Sequence, residues 1–409
     1  MASFSFLHAA DIHLDSPLAG LSRYEGVPAA EIRAAPRAAF DRLIETAIER
    51  RVDFVVIAGD LYDGDWKDMG TGLYFAAAMG RLGRANIPVY LLAGNHDAQS
   101  VITRDLPPVD GVHHFSTRTA QTHRLPHLDV AIHGRSFAER SAPENLVPGY
   151  PEPVARAFNI GVLHTSLAGY AAHETYAPCT PQELIARGYD YWALGHVHEH
   201  QIVAVHPHIV FPGNLQGRHI REDGPRGAVL VHVRDGEVAE LERLELDVVR
   251  WATATVQADV PDAAALHTRI RDALRQVAAG DRPMVVRVVL AGCSPLHDAL
   301  QDPSLRLRDD VRGIAAELSV NLWIEKLQVR TTPPTAQPET AADADGIGQL
   351  IPPPDDRLAE ALRAEFSKFF VNLPQQDDDS SIRQAAQGQW TALMTAAGAA
   401  LRHRLGIAG

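Results

Sequence analysis

Along the first half of the chain, short apolar runs alternate with longer segments whose apolar positions recur at helical spacing. "FSFLHAAD" reads as a strand, and "PRAAFDRLIETAIERR" sets Phe40, Leu43, Ile44, Ala47 and Ile48 along one helical stripe. "DFVVIAGD" is a second strand, "GLYFAAAMGRLGRA" a second helix and "IPVYLLAGNHD" a third strand. This βαβαβ rhythm predicts parallel strands with helices covering the sheet. "LDVAIHG", "FNIGVLHTS" and "YDYWALGHVH" add further strands. "QIVAV", "HIVFPGN" and "GAVLVHVRDGEVAELERLELD" predict an antiparallel meander, with Asp235-Gly236 as a tight hairpin turn. Residues 1–250 are therefore expected to form one α/β domain.

The pattern restarts at Trp251. "WATATVQAD", "RPMVVRVVLAG" and "LWIEKLQVRT" read as strands, separated by "DAAALHTRIRDALRQVA" and a helical stretch near 309–318. Residues 251–331 thus predict a small α/β domain, and it carries no polar constellation. Residues 332–354 are rich in Pro, Ala and Asp and read as a linker. Two amphipathic helices are expected in residues 355–409, one displaying Leu358, Leu362, Phe366, Phe369 and Leu373, the other Ile382, Ala386, Trp390, Leu393, Ala397 and Leu401. The period alone leaves open whether this pair packs on its own chain or on a partner.

Composition narrows the classes. The 409 residues support an ordinary core, and no stretch is long and apolar enough to span a bilayer. No basic region precedes the short apolar run at the N-terminus, so a secretory signal is not expected. Cys179 and Cys293 are too few and too far apart for a disulfide framework, which fits thiols in a reducing cytoplasm. The net charge of −13 argues against a strongly basic nucleic-acid binder. Carboxylates committed to cations would, however, inflate that count. Only Lys67, Lys326 and Lys368 are lysines among the 38 basic residues, which fits either phosphate binding by arginine or a bias in codon usage.

The chemistry collects where strands end. Asp11 and His13 follow the first strand, Asp60 and Asp63 the second, and Asn95, His96 and Asp97 the third. His164 ends "GVLH", and His196 and His198 sit in "LGHVH". In open α/β sheets ligands bind beyond the carboxyl ends of the strands. A single histidine there is usually structural, but five such ends in series are not explained that way. Imidazoles, carboxylates and one amide without thiolate suit Mn²⁺, Fe²⁺ or Zn²⁺. Seven ligands, Asp11, His13, Asp60, Asn95, His164, His196 and His198, exceed what one ion uses. Two ions about 3.5–4 Å apart would employ them all and clamp a phosphate for in-line displacement. Phosphoester hydrolysis is the reaction that such a site best explains, with metal-dependent amidohydrolysis as the rival.

D-x-H, G-D-x-x-D, G-N-H-D, a lone His and G-H-x-H, in this order over residues 1–250, resemble the signatures of calcineurin-like metallophosphoesterases. The resemblance implies a four-layer αββα sandwich. It further implies that Asp11, His13, Asp60 and His198 bind one ion and Asp60, Asn95, His164 and His196 the other, with Mn²⁺ expected and Fe²⁺, Zn²⁺ or Mg²⁺ as alternatives. His96 would then be spare to act as general acid, with Asp97 orienting its ring and raising its pKa, and Gly94 would give the backbone room to turn.

"GDLYDGD" lacks the Asp-Arg-Gly of phosphoprotein phosphatases, whereas "HAADIHLD", "AGDLYD", "LLAGNHD" and "FPGNLQGRH" resemble the SbcD-like nucleases and, more closely, the YhaO-type bacterial repair exonucleases. That likeness implies a capping domain at 251–331 and C-terminal helices docking on an SMC-like, SbcC-like ATPase. It also implies a DNA substrate, and a homodimer whose interface no residue identifies. Arg218 and His219, after the Gly213-Asn214 turn, are candidate phosphate contacts or ordinary surface residues, and Asp63 is a further candidate for substrate binding. The leading expectation is a metal-dependent DNA exonuclease or endonuclease. A phosphodiesterase for small diesters and a weakly active structural subunit of an ATPase complex are the alternatives. His113, His114, His123, His206 and His208 have no strand-end register and are expected to be structural or exposed.

Overall fold

The computed structural model describes residues 3–16, 29–63, 69–99, 109–167, 176–278, 280, 282–302 and 305–334, together with 357, 360–362, 364–365, 390, 394 and 397–398. Met1–Thr332 form one unit and Pro333–Gly409 a second. Beyond Pro333 and Pro334, the few described positions of the second unit are helical. Most of the linker and of the two C-terminal helices expected from sequence lies outside the described residues.

The first sheet contains β1 (Phe4–Ala9), β2 (Phe54–Ala58), β3 (Val89–Leu92), β4 (Val112–His114), β11 (Gly227–Arg234) and β12 (Glu237–Glu245), in the order β12-β11-β1-β2-β3-β4. The second contains β5 (Gln121–Leu125), β6 (Val130–Gly134), β7 (Phe158–His164), β8 (Tyr191–Gly195), β9 (Gln201–Val205) and β10 (His208–Phe211), in the order β5-β6-β7-β8-β10-β9. β1 to β4 are parallel, as are β6, β7, β8 and β10. The carboxyl ends of each set therefore face one way.

The continuous apolar runs follow from burial on both faces. Phe6, Phe54, Val56 and Val231 of the first sheet meet Ile132, Ile160, Val162 and Tyr191 of the second. On the other face of the first sheet, Leu7, Val55, Ile57 and Leu230 lie under α1 (Ala29–Glu49) and α2 (Met69–Arg84), through Phe40, Leu43, Phe75 and Leu82. The outer face of the second sheet buries Leu163, Trp192, Leu194 and Phe211 against Leu184 of α3 (Pro181–Ala186) and the loops around Phe137, Val147 and Tyr176. This is the αββα architecture, with a fourth layer made, among the described residues, of one short helix and loops. α3 starts on a capping box between Thr180 and Glu183, with Pro181 in the first turn.

Two details differ from the sequence pattern. The meander is divided between sheets: β9 and β10 pair in the second, whereas β11 crosses to lie antiparallel to β1 in the first. The strand period reports which residues are buried but not which sheet receives them. The Asp235-Gly236 turn does join β11 to β12, and both residues have positive φ, 53° and 82°. Helix α1 also begins well before Pro36, because Ile32 and Ala35 pack on Val249, Trp251 and Val285.

Those last three residues belong to the segment that carries the third sheet, β13 (Arg250–Gln257), β14 (Met284–Cys293) and β15 (Leu322–Thr332), all parallel. α4 (Ala263–Val277), capped by Asp262, and α6 (Leu307–Leu318) cover one face of it, with the short α5 (His297–Gln301) between. No helix among the described residues is long and apolar enough to cross a membrane.

Candidate metal centre

The ends of β1, β2, β3, β7 and β8 converge on one point, and the backbone there is unusual. Asp11, His13, Asp60 and His196 have φ of 50°, 47°, 52° and 103°, in a region L-residues seldom visit. The turns are held by bonds from Asp11 N to Gly59 O and from His13 N to Asp60 O, both 3.0 Å. Gly59 has a φ of 100°, and a Cβ on it would stand 2.4 Å from His164 Nδ1. Gly94 is needed for a different reason from that expected: a Cβ there would stand 2.4 Å from Asp60 Oδ1. Its role is to let the carboxylate approach.

Three groups of side chains offer converging ligand atoms: Asp11, His13 and His198; Asp60, His164 and His196; and His13, Asp60 and His96. Asn95 Oδ1 lies 2.9 Å from His164 Nε2, so all seven candidate ligands meet in one cluster. Asp11, His13, Asp60, Asn95 and His164 are buried, whereas His96 and His198 reach the surface.

The donor set fits divalent cations on the evidence of its lone pairs. His164 Nδ1 donates to Ala58 O at 3.0 Å, so Nε2 is the atom turned to Asn95 Oδ1 and to Asp60 Oδ2, the latter at 3.4 Å. His198 Nδ1 donates to Glu222 Oε1 at 2.7 Å, which leaves its Nε2 facing His13 Nε2 at 3.4 Å. At His164 acceptors thus point at acceptors, an arrangement that a proton or a cation between them stabilises. Without a cation the proton goes to His164. Burial works against its charge, but the Asp60 carboxylate outweighs burial and the imidazole is pushed up to about 9. Burial likewise opposes ionisation of Asp60, and His164 nevertheless holds it well below the usual carboxylate range. Burial pushes Asp11 up and His13 well down, the latter reinforced by Arg218.

The "GNHD" turn corrects one expectation. Asp97 does not touch the His96 ring. Its carboxylate accepts from the backbone N–H groups of Tyr62 (2.8 Å), Gly94 (3.0 Å) and Leu61 (3.1 Å), and burial pushes it up to about 7. The short turn Asp97–Gln99 folds it back under the loop, so it fastens the ends of β2 and β3 together. The partner of His96 is Asp63, with Nδ1 and Oδ1 2.9 Å apart. Asp63, expected among the substrate contacts, thus holds the His96 ring and is held in turn by Ser16 Oγ at 2.7 Å. Burial opposes a charge on His96, but the bond to Asp63 raises its pKa. The ring is about one-third exposed, as a group that meets substrate needs to be.

Glu222 escaped sequence reading altogether. It accepts from His198, from Asn214 Nδ2 and from the backbone N–H of Arg218, and Arg218 Nη2 lies 3.2 Å away. Its place in "GRHIRED" carries no periodic signal, because it reaches the site only through a loop. Arg218 sits at the edge of the cluster, whereas His219 is half exposed with Nε2 3.7 Å from Glu222. His113 and His123 lie elsewhere, in an aromatic group with Tyr90 and Phe115.

A calcineurin-like phosphoesterase model matches residues 4–200, and the model of the middle domain of metallophosphoesterase YhaO matches residues 251–332. Over 303 residues the chain is 35% identical to the uncharacterized metallophosphoesterase YhaO of Bacillus subtilis, covering 72% of this chain and 73% of that protein. Over 215 residues it is 30% identical to the DNA double-strand break repair protein Mre11 of Methanopyrus kandleri, covering 47% of this chain and 44% of that protein. A solved dimetal phosphatase from Danio rerio aligns at 12% identity with a TM-score of 0.36, covering 60% of this chain and 98% of that one.

Proposed function

This chain belongs to the calcineurin-like metallophosphoesterases of the YhaO family, and from that premise we propose that it is a metal-dependent DNA nuclease that hydrolyses phosphodiester bonds in the cytoplasm. The observation that carries the hydrolytic part is the convergence of seven nitrogen and oxygen ligands beside a partly exposed His96–Asp63 pair. Asp11, His13, Asp60 and His198 would hold one divalent cation, and Asp60, Asn95, His164 and His196 a second, with Mn²⁺ the fitting choice. Such ions supply Lewis acidity, which activates water and stabilises charge on the phosphoryl oxygens. His96 gives its proton to the departing oxygen, and Asp63 orients the ring and favours its protonated form. Asp97 keeps the two loops that carry this pair in register. The DNA substrate rests on the likeness to a protein named for double-strand break repair.

The net charge of −13 favours a second reading, hydrolysis of a small diester. The deciding assay is Mn²⁺-dependent cleavage of end-labelled linear DNA beside bis(4-nitrophenyl) phosphate. Cleavage of both, lost with chelator, supports the nuclease. Cleavage of the small diester alone, with or without an SMC-like ATPase added, would replace it with the second reading. Docking of such an ATPase on residues 355–409 is part of the proposal, and loss of pull-down after deletion of 332–409 is the expected result.

A further inference from the structure

Resting on the phosphoesterase reading, we propose that Arg218 is the residue that binds the phosphate of the substrate, presented by a loop that the 251–332 segment holds rigid.

The loop between β10 and β11 has no regular structure, yet it is fastened at almost every residue. Asn214 Nδ2 donates to Gln216 O and to Glu222 Oε2, both at 2.9 Å. Gln216 Oε1 accepts from Val248 N at 2.8 Å, and its Nε2 donates to Val249 O and to Gly217 O. Trp251 Nε1, at the start of the third sheet, donates to Gly217 O at 3.0 Å, and Gly224 N donates to Trp251 O at 3.0 Å. Trp251 is itself buried with Val285 of β14 against α1. The residue after Gly217 is thus fixed by the segment that follows the phosphoesterase domain.

That residue is Arg218, and its guanidinium is incompletely used. Nη2 reaches Glu222 Oε1 at 3.2 Å and stands 3.4 Å from His198 Nδ1, while Nε is buried and has no hydrogen-bond partner among the described residues. A desolvated N–H without an acceptor is unfavourable, and an anion at the site would satisfy it. The contacts of Nη2 with Glu222 and His198, whose Nε2 lies 3.4 Å from His13 Nε2, place the guanidinium on the His13–His198 side of the cluster. The side chain is 17% exposed, so it borders solvent, in contrast to His13 behind it at 1%. Glu222 balances the charge and holds the planar fork in place. A planar fork is suited to two oxygens of one phosphate, which an ammonium cannot match.

The test uses the full chain loaded with Mn²⁺ and inorganic phosphate as the probe. Calorimetric phosphate affinity, the inhibition constant of phosphate and KM for bis(4-nitrophenyl) phosphate are measured for the wild type, Arg218→Ala and Arg218→Lys. Mn²⁺ affinity is measured separately for each. Arg218→Ala is expected to weaken phosphate binding and raise KM by about 10- to 100-fold, with a smaller change in kcat and Mn²⁺ affinity within about twofold. Arg218→Lys keeps the charge beside Glu222 and should recover only part of the loss. Phosphate affinity unchanged in Arg218→Ala overturns the assignment. So does a loss of Mn²⁺ affinity that accounts for the whole effect, since Arg218 would then act only through Glu222 and His198. If the wild type cleaves no diester, the phosphoesterase reading fails by itself, and phosphate calorimetry still decides the role of Arg218.

Discussion

Two carboxylates of this molecule are equally buried and opposite in kind. Asp247 lies where the phosphoesterase strands hand over to the third sheet. It accepts from Arg250 Nε and Nη2, both at 2.9 Å, from Arg282 Nη1 at 2.8 Å and from the Arg226 N–H at 3.3 Å. Its charge is matched by fixed cations of the chain. Asp60 receives one bond from the His96 N–H at 3.0 Å and otherwise faces the imidazoles of His13, His96, His164 and His196, groups whose charge depends on pH. Burial of a charge is tolerated in both places, because each is compensated. Only at Asp60 is the compensation exchangeable, and an exchangeable partner is what a metal centre requires.

The sharpest way to break this comparison is to neutralise both. Asp60→Asn should abolish metal-dependent hydrolysis, weaken binding of both ions and also lower the stability of the metal-free protein at neutral pH, because His164 loses its compensating charge. Asp247→Asn should destabilise folding by about 3–5 kcal/mol and leave the specific activity of the folded fraction intact. Equal loss of activity in the two variants, measured on folded protein, would erase the distinction. Next in size is the general acid. His96→Asn should lower kcat by about 10²- to 10⁴-fold with metal stoichiometry unchanged. Asp63→Asn should lose part of that and shift the acidic partner in the pH profile down. Asp97→Asn should lower the melting temperature while retaining most of kcat. If Asp97→Asn instead reproduced the Asp63→Asn profile, the corrected pairing of His96 would be wrong.

Glu222→Gln should reduce Mn²⁺ affinity by about 10- to 100-fold through its bond to His198, seen by titration with the metal alone. The smallest expected effect is on pH. The folded-state pKa of His164 is raised from 6.5 to about 9, so its contribution to metal-free stability is complete below 6.5 and is lost as pH rises through 9. The melting temperature of chelator-treated protein should fall over that window, whereas the increment added by excess Mn²⁺ should grow, because the cation no longer competes with a proton. An increment that shrinks toward pH 9 would contradict the idea that metal and proton share one place.

The legibility of the site in the sequence divides along the same line as the comparison. Asp11, Asp60, Asn95, His164 and His196 were visible because each directly follows an apolar strand, and parallel strands bring their carboxyl ends to one edge. Glu222 and the Asp63–His96 bond were not visible, because they depend on how loops fold over that edge and leave no period. Adjacency in "HD" suggested Asp97 as the partner of His96, but neighbouring residues in a tight turn point apart. The Asp235-Gly236 turn could be read locally because its positive φ values select its residues.

The sequence by itself determined most of the order of strands and helices, though not β4, β5, α3 or α5, together with the two-sided burial of the central strands and the candidate ligands that follow them. These are written in local period and residue type, which physics reads within a few positions. Only the tertiary structure decided that β9 and β10 join one sheet while β11 and β12 join the other. The same holds for Asp97, which fastens loops while Asp63 holds His96, and for Arg218, which is set beside the cluster by Trp251. Such matters turn on contacts between residues tens to hundreds of positions apart. Their free energy resides in packing and desolvation that no local stretch contains.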